Sequence, residues 1–169
     1  MAKLIILRGP SGFGKSTWAK RYIAESPYNW THLEADMYFI NDDGVYEFKA
    51  ENLRWAHKWC LDTAKIMLKT NQNVIVSNTS TRIKEFKDYY DFAIKNGFPV
   101  EVKRLYVNFG NVHGVPADKV QAMIDRMEDF EGEQDATNYW DTLTKGAVNT
   151  NPKWGDGVVR SIGKDPCGV

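Results

Sequence analysis

Eight consecutive residues near the N-terminus have the types and the spacing needed to bind the phosphates of a nucleotide. They read GPSGFGKS from Gly9 to Ser16 and match G-x-x-x-x-G-K-[ST] at every fixed position. Glycines let backbone N–H groups converge on phosphate oxygens without an intervening Cβ. Average residue usage makes a chance match in a chain of this length roughly a 1% event or rarer. We therefore expect a phosphate-binding loop, the P-loop, at this point.

The P-loop also predicts how ATP and Mg²⁺ would be bound. The side chain of Lys15 would bridge the β- and γ-phosphates, and the hydroxyl of Ser16 would be a ligand of Mg²⁺. The helix that begins near Lys15 adds the positive end of its dipole. The predicted nucleotide-binding residues are Gly9, Pro10, Ser11, Gly12, Phe13, Gly14, Lys15, Ser16 and Thr17.

A carboxylate follows the second predicted strand. Asp36 stands in the segment EADMYF, at a strand end that faces the γ-phosphate across the cleft. There it could accept the proton of an attacking hydroxyl. The alternative is a helix-capping or solvent-facing aspartate. Glu34 is a local rival for the role of base, because strand alternation places it on the same face as Asp36.

The strand at Val74–Val76 is where many P-loop proteins carry an acidic partner for Mg²⁺. Here it is followed by SNTS, which contains no acid. Ser77 or Asn78 could hold a metal-bound water or a substrate oxygen, or could instead cap the following helix. A protein that activates water for efficient ATP hydrolysis would be expected to keep more acid here, so the gap favours a kinase.

A basic helix is predicted after Pro116, a residue that suits a first helical turn. Lys119 and Arg126 are seven residues apart and lie on nearly one face of it. We expect residues of about 111–131 to form a lid that brings Arg126 over the transferring phosphoryl group. The alternative is a solvated charged face, with Arg126 paired to a neighbouring acid.

These residues need a scaffold, and the hydrophobic pattern supplies one. Short apolar runs alternate with amphipathic helices, which predicts an α/β fold with a parallel sheet covered by helices on both faces. Ligands of such sheets bind beyond the carboxyl ends of the strands, where the motifs lie. The predicted strands are 4–7, 30–35, 74–76, 100–107 and, weakly, 158–162. The predicted helices are 16–24, 50–70, one whose buried face runs from Ile83 to Ala93 and which Asn96-Gly97 closes, and one that opens at Pro116.

Length and composition limit the alternatives. The chain has 169 residues, of which 43% are hydrophobic, so we expect a single domain over residues 1–169. It has 22 basic and 22 acidic side chains, so no global field would draw it onto nucleic acid or a membrane. Its two cysteines, Cys60 and Cys167, are expected to be reduced thiols, and no apolar run has the length of a membrane span. These features predict a cytoplasmic protein.

Taken together, the motifs resemble the polynucleotide 5′-hydroxyl kinase family, which includes phage-type kinase domains and P-loop domains of the NEDD4-binding-protein type. The matching segments span roughly residues 3–131. They are GPSGFGKSTWAK, EADMYF, DGVYEF with LRWAHKWC, NVIVSNTSTR and HGVPADKVQAMIDRME. The first segment is generic to P-loop proteins, and the order and spacing of the others are more specific.

This resemblance implies roles for individual residues. Lys15 and Ser16 would hold ATP and Mg²⁺, Asp36 would be the general base, and Arg126 would be the lid arginine. Relatives often carry a second aspartate where Met37 stands, and frequently an aspartate at position 77 or 78. The chain departs from the family at both places.

The acceptor side is predicted from the same resemblance and from nearby aromatic residues. Arg82, Thr79 and Tyr38 are the expected substrate-binding residues. The aromatic side chains Tyr38, Phe39, Tyr46 and Phe48 could stack a terminal base. The alternative is a core or loop-anchoring role, which is the expected one for Phe39 and Phe48. The leading hypothesis is an ATP-dependent 5′-hydroxyl kinase whose partners are DNA or RNA ends. The alternatives are a kinase of another hydroxyl, on a hydroxymethylated DNA base or a small nucleoside-like molecule, and a nucleotide-binding module that transfers nothing.

Overall fold

A parallel five-stranded sheet organises the protein. The computed structural model describes residues 1–110, 114–138 and 146–154. The sheet has the strand order β2-β3-β1-β4-β6, and a separate antiparallel pair is formed by β5 and β7. The strands are β1 Leu4–Arg8, β2 Trp30–Leu33, β3 Asn73–Val76, β4 Val100–Arg104, β5 Val107–Asn108, β6 Gln134–Asp135 and β7 Val148–Asn149. The helices are α1 Lys15–Glu25, α2 Leu53–Lys69, α3 Ile83–Lys95 and α4 Ala117–Arg126.

Helices cover both faces of this sheet, as the sequence predicts. Alternate side chains of β1 point to opposite faces: Leu4 and Ile6 pack into a core with α2 and α3, whereas Ile5 and Leu7 pack with α1 and α4. The continuous burial of β1 is therefore explained by two apolar layers, one on each side.

The carboxyl ends of β1, β2 and β3 lie at the same end of the sheet. Val76 of β3 is level with Ile6 of β1 on one side and with Leu33 of β2 on the other. The residues that follow these strands therefore emerge side by side, which is the arrangement expected of a ligand site in a parallel sheet.

Two predicted strands end earlier than expected. The second stops at Leu33, and residues Ala35–Phe39 form a 3₁₀ turn because the Ala35 N–H donates to Asn78 Oδ1 (2.8 Å). The strand predicted over 100–107 leaves the main sheet after Arg104, and Val107 pairs with Asn149 instead.

The described fifth strand of the main sheet differs from the predicted one. It is β6, whose register pairs Gln134 with Lys103 of β4. The strand predicted at 158–162 lies outside the described residues, as does Cys167. Among the described residues, none of the helices combines the length and the apolar composition that crossing a membrane requires.

Candidate active site

The P-loop lies between β1 and α1, and its backbone requires glycine. Gly12 and Gly14 have φ values of 85° and 80°, which side chains rarely tolerate. A Cβ on Gly12 would come within 2.8 Å of the Gly110 carbonyl oxygen. The buried Phe13 ring anchors the loop, and the Phe109 N–H donates to Gly12 O (3.0 Å). The loop is thus a backbone cradle of the kind that fits phosphate groups.

Lys15 is a partly buried cation in this cradle. Its Nζ donates to the Pro10 carbonyl oxygen (3.0 Å), so the side chain folds back over the loop. Desolvation lowers the pKa of Lys15 to about 8, and the nearby Glu34 and Asp36 carboxylates act in the opposite direction. An ammonium group that is poorly solvated favours the arrival of an anion, so the residues present fit a nucleotide's phosphates.

This lowered pKa predicts that ATP binding takes up protons. Between about pH 8 and the ordinary lysine pKa, the unfolded chain binds more protons at Lys15 than the folded chain does. The contribution of Lys15 to the free energy of unfolding therefore rises with pH in that window. Bound phosphates favour the ammonium form and raise the pKa again. At about pH 8.5 we expect roughly three-quarters of a proton to be taken up per ATP. Calorimetry in buffers of different ionisation enthalpy measures it, and Lys15→Arg, which cannot titrate, should abolish the effect. A buffer-independent enthalpy for the wild type would contradict it.

Glu34 fills the position beside the P-loop that the end of β3 leaves without an acid. Its Oε2 lies 3.4 Å from Ser16 Oγ and accepts a hydrogen bond from Ser77 Oγ at 3.2 Å. The same oxygen is 3.8 Å from His32 Nε2, which is itself hydrogen-bonded to Ser77. The sequence presents Glu34 only as a rival base; its contact with Ser16 depends on the pairing of β2 with β3.

Asp36 is exposed on the 3₁₀ turn that directly follows β2. Its carboxylate lies close enough to Lys15 to influence that pKa, and it also contributes to a raised pKa of Tyr46, whose main cause is desolvation. Tyr46 is therefore within electrostatic reach of the Asp36 and Glu34 carboxylates. Its ring packs edge-on against Phe39, which also contacts Phe48.

The residues after β3 hold neighbouring backbone segments in place, a role that the sequence does not predict. Asn78 holds the turn of Asp36 through its amide oxygen and does not cap α3. The Thr79 carbonyl accepts from the Gly9 N–H (3.1 Å), which ties this segment to the start of the P-loop. Arg82 is the N-cap residue of α3 and its side chain is exposed.

A buried arginine that the sequence analysis does not single out joins these parts. Arg8 is fully buried at the end of β1, one residue before the P-loop, and pairs with Glu133 at 2.7 Å. Its guanidinium also donates to three backbone carbonyl oxygens, those of Ser80, Thr81 and Glu128. The only signal in the sequence is a charged residue that continues an apolar strand.

With the geometry established, comparison with known proteins identifies the family. A family model described as an AAA domain matches residues 4–108, more than half of the chain. The chain belongs to this AAA domain family. Its sheet and helices give this AAA domain a P-loop kinase-like fold.

Relatives of this AAA domain are similar to it in sequence over most of its length. An uncharacterized protein of Pasteurella multocida, PM0531, is 33% identical over 135 residues, which are 73% of this chain and 75% of that protein. Human NEDD4-binding protein 2 is 28% identical over 137 residues, 75% of this chain but only 8% of that protein.

Solved structures show the same fold at lower identity. A chain in a structure of the Pnkp1/Rnl/Hen1 RNA repair complex matches with a TM-score of 0.53 and 20% identity; the match covers 80% of this chain and 40% of that one. A gluconokinase from Sinorhizobium meliloti 1021 matches with a TM-score of 0.52 and 18% identity, over 80% and 81% of the two chains. At these identities the likeness extends to the fold alone.

The predicted site residues lie in different parts of this AAA domain. The P-loop follows β1, whereas Asp36 and Tyr38 follow β2, which is separated from β1 by β3. Tyr38 is 41% exposed beside Trp59. Arg126 is the last residue of α4, where its Nε donates to Thr81 Oγ1 (3.1 Å). Residues 111–113 of the predicted lid lie outside the described residues.

A cavity of about 750 Å³ adjoins the P-loop at Pro10 and Phe13. Its other walls include Ile124 in α4, Met127 just after that helix and Arg104 at the end of β4. The cavity is not lined by the lysine of the P-loop or by the two carboxylates after β2. The candidate active site therefore lies at the carboxyl ends of β1, β2 and β3, next to this cavity.

Proposed function

We propose that this AAA domain is an ATP-dependent kinase that transfers the γ-phosphate of ATP to the 5′-hydroxyl end of DNA or RNA. The observation that carries the proposal is the exposed Asp36 carboxylate, which lies within electrostatic reach of the P-loop lysine Lys15. A phosphate-binding cation and an accessible base on one sheet edge are the parts that phosphoryl transfer to a hydroxyl requires.

The side chains divide the work of that reaction. The P-loop amides and Lys15 orient the phosphates and balance the charge that develops on the transferred group. Asp36 takes the proton of the acceptor hydroxyl as the oxygen attacks phosphorus and the bond to the β-phosphate oxygen breaks. When bound, Mg²⁺ would supply neutralisation of the phosphate charge, and the Ser16 hydroxyl would help to hold it.

The surroundings of Asp36 favour a nucleic-acid end as the acceptor. Tyr38, Tyr46 and Phe48 are 41%, 53% and 52% exposed, which leaves aromatic faces open for a base to stack on. A chain of an RNA repair complex has the same fold. The gluconokinase match is of similar quality, so the fold does not choose between acceptors.

Transfer from γ-labelled ATP tests the proposal. We expect label at the 5′ end of a 5′-hydroxyl DNA or RNA oligonucleotide and none on the same oligonucleotide with a 5′-phosphate. Label on a hydroxymethylated base or on a nucleoside or sugar would replace the proposal with a kinase of another hydroxyl. Release of free phosphate alone would indicate a binding module with slow hydrolysis.

Arg126 provides a prediction for the lid. Arg126→Ala should lower turnover by roughly tenfold or more while ATP affinity changes less, because a lid arginine acts mainly on the charge of the transition state. Turnover and the Kd for ATP are measured in parallel, with the exposed Lys119→Ala on the same helix as the control. Equal losses of turnover and affinity would instead indicate a ground-state contact.

A further inference from the structure

The end of β3 presents a chemical gap beside the predicted Mg²⁺ site. P-loop enzymes hold the metal with the P-loop hydroxyl and a carboxylate from a nearby strand. Here β3 runs directly into Ser77 and Asn78, and the Asn78 amide is already engaged with the backbone of Ala35. In the three described ranges, no group of three or more His, Cys, Asp or Glu side chains could hold a metal ion.

The neighbouring strand fills this gap with a carboxylate. Glu34 directly follows Leu33, which is level with Val76 in the parallel pairing of β2 and β3. Glu34 and Ser77 are therefore adjacent across the sheet edge, and a single oxygen, Glu34 Oε2, contacts both serine hydroxyls.

The contact between Glu34 and Ser16 leaves room for both oxygens to bind the same ion. At 3.4 Å it is longer than a strong O–H···O bond of about 2.5–3.0 Å, so the two oxygens are close neighbours that are not locked to each other. Glu34 is partly exposed, with 28% of its side chain accessible. One carboxylate and one or two hydroxyls, completed by phosphate oxygens and water, are the oxygen-rich ligands that Mg²⁺ uses in phosphotransferases.

We infer that Glu34, the residue that follows β2, supplies the carboxylate of the Mg²⁺ site, in place of an acid at the end of β3. Ser16 and Ser77 complete the protein's share of that site. The inference rests on the proposed function only in that ATP and Mg²⁺ bind at the P-loop. It separates the two carboxylates of this edge by role: Glu34 acts on the metal and Asp36 on the acceptor.

Nucleotide binding without any acceptor tests the inference. A fluorescent ADP analogue is titrated into the protein with Mg²⁺ and with a chelator, and the ratio of the two affinities gives the metal enhancement. Glu34→Gln should reduce this enhancement by roughly 10- to 100-fold. The affinity in chelator should stay within about threefold, because glutamine preserves the shape and a hydrogen-bond acceptor. Mn²⁺ titration followed by electron paramagnetic resonance should show the same loss of metal affinity for the complex with ADP.

Two further variants separate the metal role from a structural one. Asp36→Asn should leave the metal enhancement unchanged, since Asp36 is assigned to the acceptor. In the Glu34→Gln background, Ser77→Asp returns an acid to the end of β3 and should restore part of the enhancement. An undiminished enhancement in Glu34→Gln, or an equal loss of affinity with and without metal, would overturn the inference. Because no acceptor is present, failure of the 5′-kinase assay would leave this result standing.

Discussion

Asp36→Asn should reduce phosphoryl transfer to a hydroxyl acceptor by roughly 100- to 10,000-fold, the usual contribution of a general base. Asparagine has nearly the same shape but no oxygen that can take up the acceptor proton at neutral pH. The residue is exposed on the turn after β2 and forms no part of the P-loop, so the Kd for ATP should change only a few-fold. Single-turnover transfer and ATP binding, measured side by side, check both expectations.

The control for this variant is Asp42→Asn, an exposed carboxylate farther along the same connection. It should transfer phosphate at the wild-type rate. Normal transfer by Asp36→Asn would remove Asp36 from the role of base and leave Glu34 as the candidate. The Glu34→Gln experiment then distinguishes a base from a metal ligand, because only a ligand alters nucleotide affinity in a metal-dependent way.

Arg8→Met should lower the free energy of unfolding by about 3–5 kcal/mol, the range found when one partner of a buried ion pair is removed. Methionine retains much of the volume but leaves Glu133, 10% exposed, without its closest cation. The substitution also removes the donors to three carbonyl oxygens. Because Arg8 is fully buried, water cannot replace these donors. Urea denaturation followed by circular dichroism measures the change.

A surface pair gives the scale for comparison. Lys58 and Asp62 form an exposed i,i+4 pair on α2, and Lys58→Met should leave the free energy of unfolding nearly unchanged because solvent screens the pair. Combining Arg8→Met with Glu133→Gln measures the coupling between the two side chains. A loss below about 1 kcal/mol for Arg8→Met would show that the guanidinium does not stabilise this junction, contrary to the prediction.

The P-loop and the layered fold could be predicted from the sequence because their signals are local. Glycines and a lysine at fixed spacing encode the loop, and the apolar run of β1 predicts burial on both faces. The role of Glu34 beside Ser16 could not be predicted in the same way, because residues 18 positions apart meet there only through the register of β2 and β3.

Other differences have similar physical causes. The strand predicted over 100–107 is apolar enough to continue, but pairing of Val107 with Asn149 draws its end into a second sheet. The sheet's fifth strand, Gln134–Asp135, is short, polar and carries no periodic pattern. The contribution of Arg8 was missed because a buried charge is recognised only when its partners, 72 to 125 positions away, are known.

The contacts of Arg8 also bear on how α4 can move. Just beyond this helix, the Glu128 carbonyl accepts from Arg8 (2.7 Å), the Glu128 N–H donates to Thr81 O (2.8 Å), and its carboxylate accepts from the Ile83 N–H (2.8 Å). The C-terminal end of α4 is thus held by hydrogen bonds to β1, to the segment that precedes α3 and to the first residue of α3. With this end held, a lid movement of α4 would have to leave the backbone at Met127 and Glu128 in place.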